Sequence, residues 1–415
     1  MGDPRVVIVG AGAAGVGAGM ALAEAGFDFL ILEAASRVGG RAFTDTTSLP
    51  DPWDQGCHWF HSADVNPLVA HADRLGVRYH PREGFGDYRY WQKGRWLDQG
   101  ERDAQDAALD AAVAAIYARG ADGRDVAVSD LLPDAGDCNA GRRHILQLMA
   151  SHDPEDVSAL CYSDYADTHA NWPVIDGYGT LIARLAGGLP IRPNTPVRAL
   201  RERPRGVTVV TDAGDIAADA VIVTVSTNVL AAGVIDIAVP QARPVLDALA
   251  HVPCGFYEKI AVALKRPIDM GEGVLSFTVE PEGRPPVNWQ LPVGRDRQLL
   301  GHLGGTPARD LGAAGAEAMA AFGLEQLMLA FGSDFRDEVQ AIVPTAWQAN
   351  PFVRGAYSEA RPGHAADRRA AIAARTGRIA FAGEALSPDG QTTCHGAWSS
   401  GQSVARRMLA EELRT

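Results

Sequence analysis

The sequence predicts an α/β protein: a Rossmann-like dinucleotide-binding domain joined to an α+β domain with a mixed sheet and helices. Three observations carry this. Arg5-Val-Val-Ile-Val-Gly-Ala-Gly-Ala-Ala-Gly15 reads as a buried strand running into a turn with glycines at 10, 12 and 15, followed by an Ala- and Gly-rich helix. A second apolar strand, Phe27 to Leu32, ends in Glu33, eighteen residues after Gly15 and close to where a ribose-binding acid belongs. Far downstream, Gly377-Arg-Ile-Ala-Phe-Ala-Gly-Glu384 is a strand expected to rejoin the first sheet.

Each part of the opening has its own physical reason. Gly10 permits the tight turn, Gly12 lets backbone approach a pyrophosphate, and Gly15 lets the helix pack closely on the strand. The helix start at Ala13 and Ala14 offers unpaired N–H groups and a positive dipole end to phosphates. Arg37-Val-Gly-Gly-Arg41 follows Glu33 at once, and its two cations around a glycine pair suit a further anionic stretch of ligand.

Residues 66–75 make a short amphipathic helix stopped by Gly76, and 101–160 are mostly helical, broken by Pro and Gly between 130 and 136. Gly177 precedes a helix, 189–197 leads into a strand, and 205–211 and 220–225 are β-like around a turn at 212–214. Short strands at 256–265, 274–279, 287–291 and 298–304, then a helix over 312–331, predict a sheet in the second domain. A helix from about Gly396 to Leu413 follows the last strand. The expected dinucleotide domain therefore comprises residues 1–65, 176–250 and 351–415, with 66–175 and 251–350 forming the substrate domain.

The Arg37–Arg41 run resembles the second fingerprint of the FAD-dependent amine oxidase superfamily. The stretch Phe381-Ala-Gly-Glu-Ala-Leu-Ser-Pro-Asp-Gly-Gln-Thr-Thr-Cys-His-Gly-Ala-Trp-Ser-Ser-Gly401 closely resembles the terminal flavin motif of its polyamine oxidases and lysine-specific histone demethylases. The resemblance reaches both ends of the chain and implies FAD, held along Arg37, Gly40 and Arg41, with the backbone of Val197 at the adenine. It implies that Gly383 and Glu384 face ligand hydroxyls, and that Thr393 and the N–H groups of Gly396 and Ala397 face the flavin. One departure is Ser226, where the family usually has proline after the preceding strand. Ala356 stands where mammalian monoamine oxidases carry the flavin-bonding cysteine, so the FAD is expected to be non-covalent.

Lys259, in Gly255-Phe-Tyr-Glu-Lys-Ile-Ala-Val-Ala-Leu264, resembles the lysine that holds a water against flavin N5 in oxidase members; by itself it reads as a snorkelling strand residue. Tyr357, in Asn350-Pro-Phe-Val-Arg-Gly-Ala-Tyr-Ser358, resembles one aromatic wall of the substrate cage, and Thr393 replaces the second tyrosine of monoamine oxidases. A core tyrosine is the plain alternative. His58, Trp59 and His61 resemble the loop beside the flavin; Trp347 is a cavity wall or a core residue. His395 is an acid–base group or makes a helix-start hydrogen bond. His58 and His61 have no further ligand cluster, so no metal is expected.

A chain of 415 residues is ample for two cores, and 47% hydrophobic with 21% charged residues is ordinary for a globular protein. No apolar run of about 18 residues occurs, so no membrane span is expected, and the passage from Met1 straight to the first strand leaves no room for a signal peptide. Five dispersed cysteines without metal spacing fit reduced thiols in a cytoplasm. A net charge of −13 with no basic stripe excludes nucleic acid; the acidic excess suits a cationic amine and serves solubility equally. A monomer or homodimer is expected. No Gly-x-Ser-x-Gly elbow is present, which removes the hydrolases.

The expected activity is oxidation of a C–N bond of a small amine or polyamine to an imine, hydrolysed to an aldehyde or ketone, with O2 reduced to H2O2. Alternatives are an FAD-dependent oxidase or desaturase of an amino acid or biosynthetic intermediate, for which Arg354 is the candidate carboxylate partner, and a non-catalytic FAD-bound scaffold.

Overall fold

The computed structural model describes residues 4–82, 86–411 and 413. Met1 to Asp3, part of the stretch on which the expectation of no signal peptide rests, lie outside them. The first sheet is parallel, in the order Ile379–Phe381, Ala220–Val223, Val6–Val9, Phe29–Leu32, Ile191–Arg192. Its central strand alternates cleanly: Val7 and Val9 join one hydrophobic core and Val6 and Ile8 another, so both faces are covered. The strand at Ile379–Phe381 pairs with Ala220–Val223, so the late strand does rejoin the opening one.

The helices Ala13–Glu24 and Cys394–Glu411 cross backbone to backbone beside this sheet. A Cβ on Gly401 would lie 1.9 Å from the Ala14 carbonyl oxygen, and one on Gly17 2.3 Å from that of Trp398. Gly401→Ala is therefore expected to cost about 2–3 kcal/mol by forcing the helices apart, read as a lower unfolding temperature and weaker cofactor retention.

The β-like 205–211 lies in an antiparallel meander, Val197–Arg203, Gly206–Thr211 and Gly214–Ala218, to which Asp236–Ala238 adds a parallel strand. The strand at Gly214–Ala218 was not expected, and Ala220–Val223 belongs to the parallel sheet. The largest sheet has seven strands in the order Val339–Pro344, Tyr257–Leu264, Gln298–Gly304, Val287–Gln290, Val274–Glu280, Asp87–Gln92, Arg95–Trp96. Four of these were expected. The Asp87–Trp96 hairpin was not: its turn residues Lys93 and Gly94 have φ of +52° and +78°, and lysine hides a geometry that Asn or Asp would have advertised. The helix expected over 312–331 is two, Gly305–Ala314 and Ala316–Phe331, parted at Gly315 with φ +96°. The Pro67–Leu75 helix stops at left-handed Gly76 as predicted. Helices Gln99–Ala121 and Asn139–Ala150 make the wall facing the large sheet, the first opened by a capping box of Asp98 and Glu101. Ser226 takes a role proline could not: its hydroxyl donates to the Val353 carbonyl at 2.6 Å and accepts from the Val229 amide, capping a short helix.

Candidate active site

One cavity of about 1060 Å³ runs from the first glycine turn to the face of the seven-stranded sheet. At its nucleotide end the two glycine fingerprints meet. Gly10 has φ +104°, Gly12 forms an isolated bridge with Gly39, and the Gly39 amide donates to the Ala11 carbonyl at 2.8 Å. A Cβ on Gly15 would fall 1.9 Å from the Gly10 carbonyl oxygen, which enforces glycine there, whereas one on Gly12 would meet only Gly39, at 4.0 Å. That open cradle faces a helix with no side-chain cap and no acid in its first turn, so the amides at Ala13 and Ala14 are left for whatever fills the cavity. Glu33 is 8% exposed and held by the amides of Ala11 (2.7 Å) and Ala35 (2.8 Å), one on each oxygen, leaving lone pairs for hydroxyls. These residues fit a dinucleotide.

Arg37 donates to the Gly40 carbonyl at 2.9 Å and lies over the Phe43 ring, so part of its donor set braces its own loop. Arg41 reaches across the cavity to the Ala356 carbonyl and to Glu384 at 3.0 Å. The other oxygen of Glu384 accepts from the Ser358 hydroxyl at 2.9 Å and from the amides of Ser358 and Thr392. Glu384 thus ties the opening segment, the Tyr357 segment and the last motif together. Gly383 and Val197 line the same cavity.

The last helix corrects one expectation. It opens at Cys394, two residues before Gly396, with Thr393 as its cap: the Thr393 hydroxyl accepts from the Gly396 amide at 3.0 Å and donates to Gly390 at 2.7 Å. The Ala397 amide is spent on the Thr393 carbonyl. The amides left at the helix tip are therefore those of Cys394 and His395, and Ala397 meets the cavity with its side of the turn.

At the other end Lys259, 2% exposed, faces inward from the large sheet. Its ammonium donates to the carbonyls of Asp54 (2.9 Å) and Gly56 (2.5 Å) and contacts His58 Nδ1 at 3.0 Å. All three N–H groups are thus engaged by protein, a different arrangement from a lysine whose role is to hold a water. Burial pulls its pKa down to about 8, against the opposing pull of Asp54 and Cys57. Since His58 Nδ1 accepts, its Nε2 carries the proton and donates to Gln290 Oε1 at 2.9 Å. Burial first, and the Lys259 charge second, hold His58 well below its ordinary pKa. The His58 ring stacks on His302 at 5.3 Å, and His302 sits directly across the strands from Lys259. His302 Nδ1 bonds the Tyr257 hydroxyl at 2.8 Å, while its buried Nε2 has no partner among the described residues and His302 lines the cavity.

Tyr357 lines the cavity 5.8 Å from Tyr257, its hydroxyl bonded to the Leu148 carbonyl. Trp59 lies edge-on to His58, His61 bonds Asn171 at 2.6 Å, and Trp347 anchors its indole N–H on Gln55 while lining the cavity. Burial lowers His395 to about 4; it lines the cavity, and among the described residues no side-chain hydrogen bond ties it to the helix start. Arg354 does not line the cavity, whereas Arg82, Arg142 and Arg295 do, which corrects its choice as the carboxylate partner. Tyr257, Gln290, His302 and Glu359 also line the cavity and were not among the residues expected there. Their signal was the two-residue period that puts Tyr257 with Lys259 and Tyr357 with Glu359.

The chain matches the family described as flavin containing amine oxidoreductase over residues 13–137 and 139–409. It is 27% identical to polyamine oxidase 4 of Oryza sativa subsp. japonica over 97% of this chain and 88% of that protein. It is 24% identical to human lysine-specific histone demethylase 2 over 98% of this chain and 54% of that protein. Among solved structures, putrescine oxidase bound to putrescine superposes with a TM-score of 0.81 at 22% identity, covering 98% of this chain and 99% of that one. Cyclohexylamine oxidase from Brevibacterium oxydans superposes at 0.79 with 21% identity, covering 99% and 100%. With nearly the whole chain matched and both glycine fingerprints built into one cavity, this protein belongs to the flavin containing amine oxidoreductase family.

Proposed function

We propose that the protein is an oxidase of a small amine or polyamine, using non-covalently held FAD and oxygen. The observation that carries this reading is the placement of a buried lysine and an aromatic wall, Lys259 and Tyr357, on the same cavity as the two glycine fingerprints. When bound, FAD supplies the two-electron acceptor for the C–N oxidation and passes the electrons to O2, giving H2O2.

The chain's own residues position and tune. Gly10, Gly12, Ala13, Ala14, Gly15 and Glu33 hold the nucleotide end, Arg37, Gly40 and Arg41 the middle, and Gly383, Glu384, Thr393 and Ala397 the far end. Tyr357, its hydroxyl fixed on Leu148, presents its ring as one wall for the amine. Lys259, a cation on the cavity wall with its pKa near 8, holds positive charge there and can give up a proton near neutrality. Residues 1–65, 176–250 and 351–415 act as the cofactor domain and the two insertions as the substrate domain. Ala356, which offers no nucleophile, supports non-covalent attachment. The five cysteines are free and no helix among the described residues is long and apolar enough to cross a membrane; a cytoplasmic location fits the free thiols.

Anaerobic mixing of the yellow protein with a panel of mono-, di- and polyamines and amino acids tests the reading. Flavin bleaching by an amine is expected, and its rate is expected to rise with pH through neutrality because an ammonium has no free lone pair. Bleaching by amino acids alone, or a rate indifferent to pH, would count against amine oxidation.

A further inference from the structure

The cavity contains a buried carboxyl that the reaction itself does not require. Glu359 is 2% exposed and lines the cavity, yet the only hydrogen bond to its carboxyl among the described residues comes from the Cys161 thiol, at 3.5 Å. A thiol is a weak donor and a poor exchange for water.

The backbone fixes where this carboxyl points. Residues 356–360 run extended beside 253–255: Ser358 bridges Cys254, the Glu359 amide donates to the Pro253 carbonyl, and the Gly255 amide donates to that of Tyr357. Alternation along such a segment sends Ser358 one way, and it goes to Glu384. Tyr357 and Glu359 go the other way, and both line the cavity. Side chains two apart on one face of an extended segment are spaced by roughly 7 Å, about the reach of a chain of four methylenes with an amine at each end.

We propose that Glu359 is a second amine subsite, which takes the distal ammonium of a short α,ω-diamine, or the equivalent group of a longer polyamine, while the reacting amine lies at Tyr357. The inference rests on the amine-oxidase reading and narrows it to substrates with two basic nitrogens. The surroundings support it. Burial, opposed by the nearby Arg368 and by the Cys161 hydrogen bond, raises the carboxyl to about 8, so near neutral pH the empty subsite carries mostly a protonated acid. Glu384, Asp164 and the phenols of Tyr117, Tyr162 and Tyr357 also face it. An arriving ammonium replaces the acid's proton and supplies the strong donor that the thiol is not. Asp106, Asp110 and Asp167, on the helical wall and the loop beyond it, line the same cavity and give a cation a favourable approach.

The test compares putrescine with n-butylamine on the flavin-loaded full-length protein, in wild type, Glu359→Gln and Glu359→Asp. Wild type is expected to favour the diamine in kcat/KM by at least about tenfold, mostly through KM, since the contact is equal in ground and transition states. Glu359→Gln is expected to collapse that ratio to within about threefold, and Glu359→Asp, which keeps the charge on a shorter stem, to restore part of it. Equal kcat/KM for the two amines in wild type, or an unchanged ratio in Glu359→Gln with flavin content preserved, overturns the subsite and leaves amine oxidation standing. Failure of every amine in the panel to bleach the flavin overturns amine oxidation and the subsite together.

Discussion

Lys259→Met is expected to slow reaction of the reduced enzyme with oxygen by on the order of 10²- to 10³-fold, the scale on which losing one preorganised charge or donor is felt in a water-poor site. The measurement is stopped-flow mixing of reduced protein with oxygenated buffer. Methionine nearly matches the lysine stem in shape and removes a buried charge, but it leaves the Asp54 and Gly56 carbonyls and His58 Nδ1 without their donor, so the two effects offset and thermal stability near neutral pH is expected to change little. The sign of the pH dependence follows from the lowered pKa. The unfolded lysine titrates near 10.5 and the folded one near 8, so the unfolded chain binds the extra proton between those values. The stability cost of Lys259 is thus fully present below about pH 8 and fades as the pH climbs toward 10.5, so the wild type should gain in stability relative to the variant over that window. Removing the ammonium also removes a cause of His58's low pKa, so the His58 imidazole should titrate higher in the variant, read by NMR. A non-catalytic flavin scaffold would show the pH-dependent stability and NMR effects but no fall in oxygen reactivity, because the lysine would not be accelerating the slow reaction of its reduced flavin with oxygen.

Glu384→Ala has the second large expected effect, and here structure and cofactor fail together. The carboxylate is 5% exposed and balances Arg41 at 3.0 Å while accepting from Ser358 and Thr392. Removing it strands a partly buried guanidinium and two amides, which costs about 3–5 kcal/mol. Flavin content after gel filtration and the unfolding temperature are both expected to fall. Glu384→Gln keeps the shape and an acceptor, so it should retain more flavin than the alanine variant. Loss of flavin without loss of stability would mean that Glu384 serves the ligand alone and does not brace the three segments.

How much of this was legible in the chain depended on whether a residue's reason lay nearby in sequence. The strand–turn–helix at Val6–Glu24, the Glu33 position and the Asn66–Gly76 helix are local: hydrophobic runs, glycine conformations and caps state them within a few residues. The start of the last helix was placed two residues late because Gly396 resembles a helix opener, while the true cap is the Thr393 hydroxyl reaching forward to it. The Asp87–Trp96 hairpin was missed because Lys93 occupies a left-handed turn position without the usual Asn or Asp. Lys259 was found by resemblance, but its partners could not be. Asp54, Gly56 and His58 come to it across some 200 residues of chain, and no local pattern records that a histidine takes the third N–H. Glu359 was hidden differently: its period-two relation to Tyr357 was in view, but only the bridge from Ser358 to Cys254 makes that segment extended.

The backbone crossing at Gly17 and Gly401 has a consequence for the order of events in a cell. The glycine turn and its helix are made long before the helix they pack against. A growing chain therefore carries half a nucleotide site until that later helix has emerged. Cofactor capture then waits on the later helix, and a single proteolytic cut before Cys394 should shed the flavin even though most of the residues around it are untouched.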